Sequence, residues 1–130
     1  MANNEARNNH KIQASDSFGE VRIADEVIAT IAAMAASEIP GVASVGGNLT
    51  SEIMGKLKMN RLSKGVKAAI NDNEITIDIS LSIEYGYQIP ATCERVQKKI
   101  KTTIENMTGF TVGDVNTHIS GIDMNAEDQM

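Results

Sequence analysis

From Glu74 to Pro90 the chain reads EITIDISLSIEYGYQIP: Ile75, Ile77, Ile79, Leu81 and Ile83 take every second position, and Thr76, Asp78, Ser80, Ser82 and Glu84 stand between them. A side-chain period of two belongs to a β-strand, whose successive residues face opposite sides of a sheet. A strand covered on both faces would read as a nearly unbroken apolar run, so the alternation predicts helices on one face of the sheet only. The run closes on Tyr85-Gly86-Tyr87, and Pro90 brings a fixed φ suited to the first turn of a helix. Strand, corner and helix are therefore expected in close succession, in a two-layer α+β arrangement.

The remaining elements follow from the same patterns. Residues 1–17 are Asn-, Ser- and charge-rich, too poor in apolar area to offset ordering entropy, and are expected to form a disordered tail. A single domain is expected over 18–123, with a short polar tail over 124–130. Gly19 to Ile23 suggests a first strand, and Asp25 and Glu26 place negative charge where a helix N-terminus favours it. Val27, Ile28, Ile31, Met34 and Ala35 recur at helical spacing up to about Glu38, the many alanines leave little side-chain bulk so that the helix can pack closely on the sheet, and Pro40-Gly41 stops it.

A strand over Gly41–Gly47 has Val42 and Val45 out of strict alternation, which points to a bulge or an early end. Residues 48–64 suggest a short helix over Glu52 to Met59, weakened by Gly55. Gly65 to Ile70 and the turn residues Asn71-Asp72-Asn73 predict an antiparallel hairpin with the central strand. A second helix runs from about Pro90 to Met107, its apolar stripe Cys93, Val96, Ile100, Thr103, Ile104 and Met107, and Thr108-Gly109 ends it. In the last strand, Phe110 and Val112 share one parity and Val115, Thr117 and Ile119 the other, so a bulge near Gly113 is needed to restore a common face. The order is β-α-β-β-β-α-β, read as two βαβ units joined by a hairpin, with both helices on one face of a mostly antiparallel, mixed sheet.

Composition narrows the functions. The 130 residues carry a net charge of −5, which disfavours a nucleic-acid domain, and aromatic residues are 3% of the chain with no Trp, so stacking platforms are scarce. One cysteine, Cys93, excludes an intrachain disulfide. The first 17 residues contain no apolar run of the signal-peptide kind, and no stretch is long enough to span a bilayer. The expected setting is the cytoplasm, with any membrane association coming through a partner or a surface patch.

Several stretches together resemble a known family. PGV at Pro40 to Val42, KGVK at Lys64 to Lys67, IEYGYQIP at Ile83 to Pro90, VQKKI and ENMTG within Val96 to Gly109, and VNTHISGI at Val115 to Ile122 are similar, in wording, order and spacing, to the alkaline shock protein family of bacterial envelope stress-response proteins. The similarity covers about Phe18 to Ile122. It implies a small, cytoplasmic, non-enzymatic general-stress protein of Gram-positive-type bacteria, without catalytic residue or cofactor. It also implies protein partners, among them a membrane-anchored member of the same family that would hold the protein beneath the membrane.

Candidate contact residues are Lys56, Lys58, Arg61, Lys64 and Lys67, the strongest charge asymmetry in an acidic chain, together with Asp78, Glu84 and Tyr87. The basic run suits an anionic lipid surface, worth about 1 kcal/mol per side chain, or an acidic partner. A solvated loop is the plainer account. Cys93 at a helix start has only His10 and His118 as bases in the chain, one in the tail and one opposite Val115, Thr117 and Ile119, so a small apolar role fits it better than a nucleophile. Asp78 and Glu84 are accounted for by alternation alone, without acid-base work.

The leading expectation is an interaction or scaffold protein, with strand addition at an open edge and self-association as natural modes. A ferredoxin-like small-ligand or metal carrier is the alternative, yet Ala24-Asp25-Glu26 stands where such carriers place a CxxC pair. A KH-type RNA domain would need a GxxG loop between helices and a basic groove, and neither is present. No metal, no cofactor, no nucleic acid and no direct membrane insertion are expected.

Overall fold

The computed structural model describes residues 9–12, 19–46 and 65–124. In chain order the elements are β1 (Asn9–Ile12), β2 (Val21–Ala24), α1 (Asp25–Ser37), β3 (Val42–Val45), β4 (Val66–Asn71), β5 (Glu74–Glu84), α2 (Ile89–Thr108) and β6 (Thr111–Asp123). The fold is α+β, with β5 at its centre. One edge of β5 pairs with β6 along its whole length, in parallel; the other is shared by β3 and β4, both antiparallel and lying end to end.

The sharing of one edge turns on Ser80. Its carbonyl accepts from the Gly46 N–H at 2.9 Å and its own N–H donates to the Gly65 carbonyl at 2.9 Å. The two glycine backbones press against each other so closely that a Cβ on Gly65 would run into Gly46 Cα. β3 thus ends and β4 begins at one seam. The short helix read for Glu52 to Met59 lies outside the described residues.

The alternation of β5 survives folding except at Ser82, which is buried although it belongs to the polar face. Ile75, Ile77, Ile79, Leu81 and Ile83 are fully buried beneath the two helices, each apolar side chain contributing roughly 1.5–3 kcal/mol by leaving water. The bulge anticipated near Gly113 is present: Ile75 pairs with Val112 and Thr76 with Asp114. A second bulge, at Ser120, lies between the Leu81–Ile119 and Ser82–Gly121 pairs. Two extra residues let the 13 residues of β6 match the 11 of β5 from end to end. Val112, Val115, Thr117, Ile119 and Ile122 then all share the helix side. A bulge in β3 between Val42 and Ser44 likewise explains its broken alternation.

Both helices end where the sequence says they do. The α2 terminus is closed by Gly109 at φ 83°, whose N–H donates to the Glu105 carbonyl, and Gly109 meets the left-handed requirement without strain. The buried line of α2 is Thr92, Val96, Ile100, Ile104 and Thr108, an unbroken i, i+4 row. Cys93 is half-buried beside it, and Met107, read as part of the stripe, is 64% exposed.

Three expectations are corrected. Composition predicts a tail over 1–17, but Asn9–Ile12 forms β1, antiparallel to β2 with His10 opposite Ile23; backbone pairing needs open N–H and C=O groups on a neighbour, which β2 supplies, and no apolar side chains. Because β2 pairs with β1, it does not join the central sheet, and β2-α1-β3 is not a βαβ unit of one sheet; β5-α2-β6 is. In α1 the face that packs is Ile28, Ala29, Ala32, Ala33, Ala35 and Ala36, while Val27 and Met34 are about half exposed. Alanine lets the helix axis come closer to the sheet and to α2 than a face of valine and methionine would, so the small residues turn inward.

Candidate functional site

The pairing that buries the isoleucines presents the alternate residues together on the opposite face. Across β4, β5 and β6 this face shows Lys67, Ala69 and Asn71, then Glu74, Thr76, Asp78, Ser80, Ser82 and Glu84, then Asp114, Asn116, His118, Gly121 and Asp123, with Ser44 of β3 beside Ser82. No helix among the described residues lies on it. Glu74, Asp78, Glu84, Asp114 and Asp123 are its carboxylates, and Lys67 is its one ammonium among the described residues.

The face is not flat everywhere. At the seam of β3 and β4, Gly65, Lys67, Asp78, Ser80 and His118 line a depression of about 330 Å³. Its geometry follows from register: Lys67 stands opposite Asp78, and Ser80 opposite His118. Asp78 is fixed from the β6 side by the Asn116 amide, whose Nδ2 donates to Asp78 Oδ1 at 2.9 Å. That bond engages Oδ1 alone, and among the described residues no hydrogen bond to Oδ2 is formed.

A second depression, about 360 Å³, separates α2 from β6 and is lined by Glu94, Gln97, Lys98 and Lys101 on one side and Val112 to Val115 on the other. Here the helix closes the strand edge. Gln97 Nε2 donates to the Val115 carbonyl at 3.1 Å and Lys101 Nζ to the Val112 carbonyl at 3.1 Å, while Glu105 Oε2 accepts from the Val112 N–H at 2.9 Å. The Lys101 ammonium at 2.8 Å and the Val112 N–H hold the Glu105 carboxyl below the usual carboxylate range. These side chains reach no further than Val115. From Asn116 to Ile122 no strand among the described residues pairs on the side of β6 away from β5.

The residues singled out from sequence separate accordingly. Lys56, Lys58, Arg61 and Lys64 lie outside the described residues. Lys67 and Asp78 meet in the first depression, whereas Glu84 stands at the far end of the same face, opposite Asp123. Tyr87 is elsewhere: its ring covers Gly41, and a Cβ there would come within 2.6 Å of it. Sequence reasoning missed Asn116 as the group that orients Asp78, and set His118 aside. The signal was available in the Gly113 bulge, since one inserted residue brings Asn116 level with Asp78. Among the described residues no group of three or more His, Cys, Asp and Glu side chains is placed to hold a metal ion, and no helix is long and apolar enough to cross a membrane.

The chain is similar in sequence to known proteins. The alkaline shock protein 23 family, described by a cell envelope-related function, matches residues 13–124. The uncharacterized protein YqhY of Bacillus subtilis is 39% identical over 112 residues, spanning 86% of this chain and 83% of its own. YloU of the same organism, also uncharacterized, is 27% identical over 113 residues, 85% of this chain and 94% of its own. The uncharacterized protein Spy1614 of Streptococcus pyogenes is 28% identical over 114 residues, 86% and 93% of the two chains. No solved structure matches.

Proposed function

This chain belongs to the alkaline shock protein 23 family, whose function is cell envelope-related, and from that premise we propose that it is a non-enzymatic interaction module that serves envelope homeostasis under stress by binding protein partners. The observation that carries this reading is the sheet face that no described helix covers, a broad polar surface backed by a fully buried apolar side. A rigid face of this kind binds with little ordering cost. The half-open edge of β6 offers main-chain groups for strand addition beside it. In this reading the protein works in the cytoplasm and reaches the membrane through a partner, a membrane-anchored relative being the natural one.

The test is photo-crosslinking in intact cells. A benzophenone amino acid at Thr76 or His118 should capture envelope proteins, and one at Glu94 on the helical side should not. Absence of any captured protein from the sheet face, with the variants folded and expressed, would overturn the reading.

A further inference from the structure

We propose that the uncovered sheet face docks a basic, extended polypeptide segment, one lysine or arginine of which seats in the depression at Asp78. The proposal rests on the interaction reading above and adds the chemistry of the partner.

Charge selects the sign. Glu74, Asp78, Glu84, Asp114 and Asp123 face outward against the single ammonium of Lys67 among the described residues of that face. A surface of that sign repels lipid phosphates and nucleic acid and attracts cations, speeding encounter as well as holding the complex. The helical side is different: Lys98, Lys99 and Lys101 of α2 are each paired with a carboxylate, Glu94, Glu38 and Glu105 respectively.

Geometry selects the anchor. Asp78 is already oriented, because Asn116 holds Oδ1 and leaves Oδ2 free of that bond. A cationic donor arriving there forms a charge-assisted hydrogen bond without freezing a mobile carboxylate. The Ser80 hydroxyl and the His118 ring line the same hollow, whose 330 Å³ suits the end of one long side chain. Lys67 guards the β4 side, so the cation enters from β6, past Asp114 and Asn116.

Length selects an extended segment. Asp114 is level with Thr76 and Asp123 with Glu84, a separation of about 26 Å at about 3.3 Å per strand residue. An extended segment of roughly nine residues laid over the face, parallel to β6, would meet Asp114 first, Asp78 next and the Glu84–Asp123 pair last.

The test titrates the isotope-labelled full chain with a nine-residue peptide of alternating lysine and serine, followed by nuclear magnetic resonance. Shifts should concentrate at Thr76, Asp78, Ser80, Asn116 and His118, fade with added salt, and be absent with a glutamate-serine peptide. Asp78→Asn should weaken binding about fivefold; its amide oxygen still accepts from Asn116, so the fold is kept. Glu94→Gln makes the same change in net charge on the helical side and should leave affinity unaltered, while Lys67→Gln should tighten it.

Shifts on α2, equal losses from Asp78→Asn and Glu94→Gln, or no binding would each overturn the proposal. So would concentration-dependent shifts of the same face without peptide, which would make the occupant a second copy. Binding only after Lys56, Lys58, Arg61 and Lys64 are all changed to Gln would assign the face to the chain's own segment. Envelope proteins crosslinked at Thr76 alongside a silent peptide titration would remove the basic-segment chemistry and leave the interaction reading standing.

Discussion

Thr92 shows how finely single residues are constrained here. It heads the buried row of α2, 1% exposed, and its hydroxyl oxygen has no hydrogen-bond partner among the described residues. A buried unsatisfied hydroxyl costs on the order of 1 kcal/mol or more, so Thr92→Val, nearly the same shape, should stabilise the protein by about 1 kcal/mol, seen as a higher urea midpoint with an unchanged slope. Gly41 is constrained from two directions. Its φ is 101°, which only glycine adopts without strain, and the Tyr87 ring fills the space where a side chain would begin. Gly41→Ala should therefore cost on the order of 2 kcal/mol in thermal or chemical unfolding. The positions of both residues could be read from the sequence, Thr92 in a helix and Gly41 after one. What they touch could not, because Tyr87 lies 46 residues from Gly41 in the chain.

Among the elements, β6 depends most on its neighbours. Its first half is closed on the outer side by Gln97, Lys101 and Glu105 of α2, and its second half is paired there by no strand among the described residues. Edge strands with unpaired main-chain groups invite further pairing, and side chains that occupy those groups suppress it. The Glu105 carboxyl is lowered in the folded protein by Lys101 and the Val112 N–H. A carboxyl lowered by folding adds stability above its unfolded value and loses it as pH falls through the lowered one. Glu105→Gln should accordingly flatten the acid-side fall in stability, and hydrogen exchange at the Val112 amide should quicken in that variant; an unchanged exchange rate would show that the clasp does not hold the strand.

Element types and most ends were legible, since period-two and i, i+4 patterns, Pro90, Gly109 and the Asn71-Asp72-Asn73 turn are local signals. The orientation of α1 was not. The alanines announced a close approach, but the apolar spacing also put Val27 and Met34 on the inner stripe, and only the packing against sheet and α2 turns those two outward.

For the molecule as a whole, one strand does two jobs: the odd positions of β5 hold the core and the even positions form the candidate site. Ile79→Ala, at the centre of the core between Val66 and Thr117, should cost about 2–5 kcal/mol and abolish any binding at the face by unfolding its support. Asp78→Asn should alter binding with little change in stability. Comparing denaturant midpoints and peptide affinities for the two variants separates these roles.

The amino-acid order was enough to specify a two-layer α+β chain with a half-wet central strand, the bulge at Gly113 and the family resemblance, because each rests on side-chain period or on contiguous wording. Long-range pairing had to settle the rest: that β3 and β4 share one edge of β5 at Ser80, that β2 turns away to β1, and that Lys67, Asp78, Ser80, Asn116 and His118 converge. Hydrogen-bond register between strands distant in sequence leaves no local trace, and it is register that makes a site out of residues that each look like ordinary wet-face positions.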